Sequence, residues 1–341
     1  MQARAFITGL AEAAITPEEH AFLLEAQPWG LILFKRNIDT ASQVTALVAS
    51  FRDLVGRADA PVLIDQEGGR VQRMGPPHWP SYPPGAAYGR LYDRDAAKGL
   101  AAARLGARLI ADDLVRVGIT VDCLPVADVP AKGADAVIGD RAYGETPEKV
   151  SALAAAAAAG LADGGVLPVL KHIPGHGRAT ADSHAALPVI TATRAELEAS
   201  DFAAFRPLAG LPLAMTAHVV FSVIDPVSPA TTSAKMIQNV IRDEIGFQGL
   251  LMSDDISMGA LSGSLRDRTR AALAAGCDMT LHCNGRVDEM REVAAESPLL
   301  AGRAARRAET ALAARHAPKE IDIAAAREQF AALMAEAAVT S

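Results

Sequence analysis

The segment Leu167-Pro168-Val169-Leu170-Lys171-His172 is a short apolar run that ends in two ionisable residues. A strand covered on both faces reads as a nearly continuous hydrophobic run, whereas a half-exposed strand alternates. The same form recurs on either side at Ala5–Thr8, Gly30–Phe34, Pro61–Asp65, Ile119–Val126, Leu213–His218, Gly249–Ser253 and Asp278–Cys283. Helix signals lie between these runs. Thr16-Pro17-Glu18-Glu19 sets a cap residue before a proline at the first helical position, and Thr146-Pro147-Glu148 repeats it. Leu153, Ala157 and Leu161 then fall at helical spacing. Asp39-Thr40 precedes a helix ending near Gly56. Thr191 and Thr193 are cap candidates for a charged helix through Glu196, Glu198 and Phe202.

Eight strands alternating with helices predict a single α/β domain, a (β/α)8 TIM-type barrel. The rival is an open, doubly wound sheet. That fold calls for a glycine-rich fingerprint after the first strand, and the pair Gly68-Gly69 does not make one. After about residue 286 the chain turns helical and rich in Ala, Arg and Glu, with no Pro/Gly/Ser linker before it. Residues 1–341 are therefore read as one domain, its closing helices starting there.

Composition limits the function classes. The 341 residues are 50% hydrophobic and 21% charged, which argues against bulk disorder. Net charge is −7 and no Arg/Lys run occurs, so the electrostatic signature of nucleic-acid binding is missing. The 3 cysteines, Cys123, Cys277 and Cys283, are unpatterned and fit buried thiols in a reducing compartment. The start MQARAFITGL lacks the basic and long apolar regions of a signal peptide. No stretch reaches the roughly 18 apolar residues of a membrane helix. The expectation is a cytoplasmic protein with a small-molecule substrate and no nucleic-acid, membrane or obligate protein partner.

In a parallel barrel the strand C-termini carry the active site. Here those ends read Lys35-Arg36-Asn37, Asp65-Gln66-Glu67-Gly68-Gly69-Arg70, Lys171-His172, His218, Ser253-Asp254-Asp255 and His282. Ionisable groups closing apolar strands are costly unless they converge on a site. Two segments stand out. In Asp182-Ser183-His184 the outer residues are two apart, so an extended backbone points both to one side. A carboxylate on one imidazole nitrogen then frees the other for proton transfer. In Ser253-Asp254-Asp255, a catalytic carboxylate and a helix cap are equally compatible with the pattern, and strand geometry turns one aspartate toward the axis. A metal site from His172, His176, His184, His218 and Asp254 is the weaker reading, because the spacings match no ligand motif and Lys171 would sit beside the ion.

Together these motifs resemble glycoside hydrolase family 3. The similarity runs through Gly30-Leu31-Ile32-Leu33-Phe34, Arg36-Asn37 and Asp65-Gln66-Glu67-Gly68-Gly69-Arg70-Val71-Gln72-Arg73. It continues through Lys171-His172-Ile173-Pro174-Gly175-His176-Gly177 with Asp182-Ser183-His184, then Met215-Thr216-Ala217-His218, Ser253-Asp254-Asp255 and Ala275-Gly276-Cys277-Asp278-Met279. It spans roughly residues 5–285, and the linked K-H-x-P-G-H-G and D-S-H motifs resemble the bacterial β-N-acetylglucosaminidases of peptidoglycan recycling. Two positions depart from the usual pattern, Ile173 and Leu124, and neither is among the implied catalytic groups.

The resemblance implies a retaining hydrolysis of terminal β-linked N-acetylglucosamine through a covalent glycosyl-enzyme, without cofactor or metal. The nucleophile falls on Asp254 and the acid/base on His184, oriented by Asp182. Asp65, Arg73, Arg141, Lys171 and His172 correspond to residues that hold the sugar. Larger members carry a second domain that supplies a carboxylate acid; here the barrel's own loops are expected to provide the proton donor. Arg70 is expected to pair with Glu67 or Asp128, His176 to serve either the site or its loop, and His218 to stand at the site wall. Three other readings remain at this level: a phosphorylase on the same barrel, a metal-dependent barrel hydrolase, and a non-catalytic sugar-binding barrel.

Overall fold

The structure, a computed structural model, describes residues 3–181, 183 and 187–338. Eight strands close a barrel: β1 (Arg4–Thr8), β2 (Pro28–Leu33), β3 (Val62–Ile64), β4 (Val121–Asp122), β5 (Leu167–Ile173), β6 (Leu213–Thr216), β7 (Leu250–Asp255) and β8 (Met279–His282). Every neighbouring pair is parallel, and β1 pairs with both β2 and β8, which completes the ring. Each expected strand is present. The run at 119–126 is regular only over Val121–Asp122, with one isolated bridge from Val126 to Lys171; Pro125 has no N–H to give a ladder.

The period of two along each strand divides the core. Ile7, Ile32, Leu63, Val121, Val169, Met215, Met252 and Leu281 fill the barrel interior in one cluster. Their neighbours Phe6, Leu31, Leu33, Val62, Ile64, Leu170, Ala214 and Leu251 face the surrounding helices in a second. Apolar side chains on both faces are why the strands read as unbroken hydrophobic runs.

The helices begin largely where expected. Thr16 caps Pro17–Ala26 in a capping box with Glu19, Thr40 caps Ala41–Leu54, and Thr193, not Thr191, caps Arg194–Ala199 in a box with Glu196. Thr146 occupies the cap position before Pro147–Asp163, but its side chain makes no capping bond. The expected helix through Phe202 is two pieces, because Ser200 (φ −122°, ψ −78°) breaks it before Asp201–Phe205. Beyond residue 286 come Val287–Glu296, Gly302–Ala313 and Ile323–Ala338. Ala308 and Ala311 of the second plug the lower end of the barrel interior, and Phe330 of the third packs on Tyr82 and Tyr88. Among the described residues no helix is long and apolar enough to cross a membrane.

Candidate active site

At the C-terminal ends of the strands lies a cavity of about 150 Å3, lined by Asp65, Arg73, Arg141, Lys171, His172, Asp254 and Asp255. Met215, Ile32 and Leu281 close its floor and Phe34, Val71, Met258 and Cys283 its walls. Every element that reaches it is a strand end or the loop after one, so a rigid barrel aims flexible side chains at one point. Grooves of about 290 and 580 Å3 at the opposite, N-terminal face are lined by residues such as Ala158, Pro168, Leu211 and Arg306 and carry no carboxylate.

One wall is a chain of alternating charges. Lys171, 2% exposed, sits with Nζ 2.8 Å from Asp65 Oδ1 and 2.6 Å from Glu67 Oε1. Arg73 donates to the other oxygen of Asp65 at 2.9 Å. Arg141 grips Glu67 with two bonds of 2.8 and 2.7 Å, the fork geometry that suits a carboxylate. Burial alone would protonate Asp65 and Glu67, but Lys171 with Arg73 and Arg141 outweighs it. Asp65 is held well below the usual carboxylate range and Glu67 is pulled down to about 2. Burial would also strip Lys171 of its proton, and the two carboxylates reverse that and raise its pKa.

A second wall is built on Asp128, fully buried at the end of the β4 segment. Its Oδ2 lies 2.7 Å from His172 Nδ1 and its Oδ1 accepts the His176 amide at 2.7 Å. Burial disfavours the Asp128 charge, yet the His172 and His176 imidazoles and these bonds keep its pKa below the ordinary value. An ionised Asp128 can only accept, so Nδ1 of His172 carries the hydrogen there. Lys171 and His172 both line the cavity, and the peptide bond between them is cis.

The two aspartates of β7 separate into different roles. Asp255 is consumed locally: its carboxylate takes the Ser257 amide (3.0 Å), the Ser257 hydroxyl (2.7 Å) and the Cys283 amide (3.3 Å). Asp254 accepts only the Asp255 amide, at 2.8 Å on Oδ1, and among the described residues no cation pairs with it. Burial opposes its charge, but the imidazoles of His218 and His172, the Asp255 amide and Lys171 hold its pKa below the ordinary value. Both aspartates line the cavity.

The remaining sequence candidates are distributed as follows. Asp182 and His184 lie outside the described residues; Ser183 between them is described and buried. His176 is buried beside His172, ring centroids 5.7 Å apart, and does not line the cavity. His218 is wholly buried: Nε2 donates to the Asp255 carbonyl (3.0 Å) and Nδ1 meets Thr231 Oγ1 (2.7 Å). It thus braces the backbone of the Asp255 turn. His282 is buried against Glu289, and Asn37 spends its amide on the Leu10 and Glu12 carbonyls; neither reaches the cavity. Arg70 pairs with neither Glu67 nor Asp128: it lies half exposed on Asp140 at 3.2 Å and on the carbonyls of residues 136–138. Arg141 is already saturating Glu67, which is why Arg70 is left to the rim. Sequence reasoning placed Glu67 at a strand end and named Asp128 only as a partner for Arg70, and gave neither a role in holding the site residues. The signal available was position alone, each being a carboxylate just past a barrel strand. Among the described residues no group of three or more His, Cys, Asp or Glu is arranged to hold a metal.

The family model for the glycosyl hydrolase family 3 N terminal domain matches residues 6–308. A β-hexosaminidase of Alkalilimnicola ehrlichii is 41% identical over 280 residues, 81% of this chain and 79% of that protein. The crystal structure of NagZ from Neisseria gonorrhoeae in complex with N-trifluoroacetyl-D-glucosamine superposes with a TM-score of 0.85 at 32% identity, covering 99% of this chain and 97% of that one. A family 3 β-N-acetylglucosaminidase from Paenibacillus sp. str. FPU-7 gives 0.79 at 28%, over 99% of this chain and 62% of that one.

Proposed function

Because the chain belongs to glycosyl hydrolase family 3, we propose that it removes terminal β-linked N-acetylglucosamine from peptidoglycan-derived fragments, with retention of anomeric configuration. The observation that carries the reading is Asp254: an ionised carboxylate in a walled cavity, paired with no cation among the described residues, and sharing that cavity with a wall of hydrogen-bond donors and acceptors. In the first step an Asp254 oxygen attacks the anomeric carbon as the bond to the leaving oxygen breaks, and protonated His184 gives that oxygen its proton. In the second, neutral His184 takes a proton from water, whose oxygen displaces Asp254 from the anomeric carbon. Asp182 orients His184. The imidazole stands in for the second carboxylate of most retaining glycosidases, and its ordinary pKa suits both halves of the cycle near neutrality.

The charged wall suits a sugar for a stoichiometric reason. Lys171 has three N–H groups and uses two on Asp65 and Glu67, so one is left for a hydroxyl. Asp65 has lone pairs to spare on both oxygens, and Arg73 and His172 complete the set at the cavity mouth. A filled barrel floor makes the cavity blind, which supports attack on a chain end and not within a chain. The free, buried thiols of Cys123, Cys277 and Cys283 support a reducing, cytoplasmic setting, and we read the whole chain as one domain.

The test is release of nitrophenol from the β-N-acetylglucosaminide, with the anomer first formed followed by proton NMR. Appearance of the β-anomer before mutarotation is expected. The α-anomer first, or no turnover of either this glycoside or a muramyl-linked disaccharide by folded protein, overturns the reading.

A further inference from the structure

Gln66 stands between the carboxylates Asp65 and Glu67, is fully buried and does not line the cavity. Its side chain bonds to backbone further along the chain. Oε1 accepts the amides of Arg73 and Met74, each at 3.0 Å, and Nε2 donates to the Met74 carbonyl at 2.7 Å. Its own amide donates to Asp122 Oδ1 at 2.9 Å, at the end of the neighbouring strand β4. The chain between residues 66 and 73 is a tight excursion. Gln66–Gly68 pairs antiparallel with Val71–Gln72, and the turn requires positive φ at Gly68 (+94°) and Gly69 (+59°). Gln72 Nε2 adds a second bond of 2.7 Å to the Met74 carbonyl.

This clamp matters to Arg73 because little else fixes that side chain. Its guanidinium lines the cavity and donates from Nη2 to Asp65 at 2.9 Å, while Nε is buried with no partner among the described residues. Phe34 offers it a ring face, with the guanidinium carbon 5.3 Å from the centroid, but Arg36 of like charge shares that ring at 4.9 Å. An arginine side chain carries about 2 kcal/mol of rotamer entropy. Where the guanidinium comes to rest is therefore set largely by where its Cα starts. Gln66 sets that start, through the Arg73 amide and through both backbone polar groups of Met74, whose side chain is buried in the core.

We propose that Gln66 is a positioning residue: its buried side chain ties residues 73–74 to the end of β3 and thereby holds the Arg73 guanidinium on Asp65 at the cavity mouth. The placement stands on the bonds above. Its consequence for turnover rests on the glycosidase reading, in which Asp65 and Arg73 hold the sugar. A neutral amide suits this post. It meets two amides and a carbonyl at once, which neither a carboxylate without a donor nor an ammonium without an acceptor can do. It also adds no charge beside the row of Asp65, Lys171 and Glu67. Small displacements of a substrate-holding group are expensive in rate, so a clamp outside the cavity reaches the chemistry inside it.

Gln66→Met keeps the length of the side chain and removes its bonds to Arg73 and Met74. A crystal structure of this variant is expected to show the Arg73 guanidinium beyond hydrogen-bond distance of Asp65. An Arg73–Asp65 bond still in place at 2.9 Å would overturn the placement, whatever the protein's activity. The kinetic test measures kcat/KM on the nitrophenyl β-N-acetylglucosaminide for Gln66→Met, Arg73→Ala and the double variant. Gln66→Met is expected to lose about ten- to a hundredfold in the wild-type background and less than about threefold on top of Arg73→Ala. Losses of equal size in both backgrounds, or no loss in either, would overturn the proposal and leave Gln66 a packing residue. Thermal melts report folding. If Gln66→Met does not fold, Gln66→Asn, an amide one methylene too short for these contacts, takes its place with the same outcomes. Arg73→Ala with wild-type kcat/KM would remove Arg73 from the sugar-holding set, and the kinetic half of the proposal with it. Wild-type protein inert toward this glycoside and a muramyl-linked disaccharide would instead count against the glycosidase reading, and the crystallographic test of Gln66 would stand.

Discussion

Asp128 Oδ2 sits 2.7 Å from His172 Nδ1, and both residues are buried at the ends of adjacent strand segments, 44 residues apart in the chain. The carboxylate fixes the tautomer and the ring plane of a cavity histidine, and its other oxygen anchors the loop bearing His176. Asp128→Asn keeps the shape and removes the charge. We expect kcat/KM on the nitrophenyl glycoside to fall by about a hundredfold or more, since an amide donates where the ring must. Circular dichroism showing native structure alongside full activity would contradict this role.

The two aspartates of β7 are predicted to differ in kind. Asp254→Ala leaves the folded state largely intact and abolishes turnover, by about a thousandfold or more on every substrate, because an interaction made with the reacting carbon is lost. Asp255→Ala removes the acceptor of two amides and a hydroxyl. Its expected signature is a melting temperature lower by several degrees, from about 1–3 kcal/mol of unsatisfied groups, with residual activity above that of Asp254→Ala. The reverse ranking of activities would mean the roles are exchanged.

Acid stability follows from Glu67. Its pKa is about 2 in the folded protein against an ordinary value of 4.5, so the unfolded chain binds a proton first. Its stabilising contribution is fully present above about pH 4.5 and is lost as pH falls toward 2. His176 adds an earlier step of the same sign: folded at about 4 against 6.5, it contributes stability above 6.5 that is lost as pH falls toward 4. Glu67→Gln should lower stability at pH 7, where Lys171 and Arg141 lose a counter-charge, and flatten the curve between pH 4.5 and 2. Urea unfolding at a series of pH values reads both, and an unchanged slope below pH 4.5 would refute the assignment.

Gly177→Ala tests the loop packing. The added methyl meets the backbone of Val129, which no side-chain rotation relieves. A loss of about 1–3 kcal/mol in stability is expected, as for overpacking in a core, read by urea unfolding. An unchanged unfolding midpoint would show that the 129 and 177 segments separate freely.

Much of the fold was readable because parallel strands buried on both faces leave a simple trace: an apolar run at each of eight places, ended by charge. The cap chemistry at Thr16, Thr40 and Thr193 was equally local and equally legible. The helix through Phe202 was not, since a break at Ser200 depends on backbone angles that its residue type does not set.

The site shows the same division. The sequence alone determined which groups stand at the strand ends, including Asp65, Lys171, His172 and Asp254, because barrel geometry sends every strand terminus to one face. Only the tertiary structure decided their partners. Glu67 meets Arg141 across 74 residues and Asp128 meets His172 across 44, while Arg70, the nearer arginine in sequence, is turned to the rim. Which of Asp254 and Asp255 remains unspent was likewise decided by the Ser257 turn and the Cys283 amide from the neighbouring strand end. The reason is physical: a charge's position along a strand follows from local periodicity, but its counter-ion is chosen by distances across the closed barrel, where burial makes each unpaired group expensive.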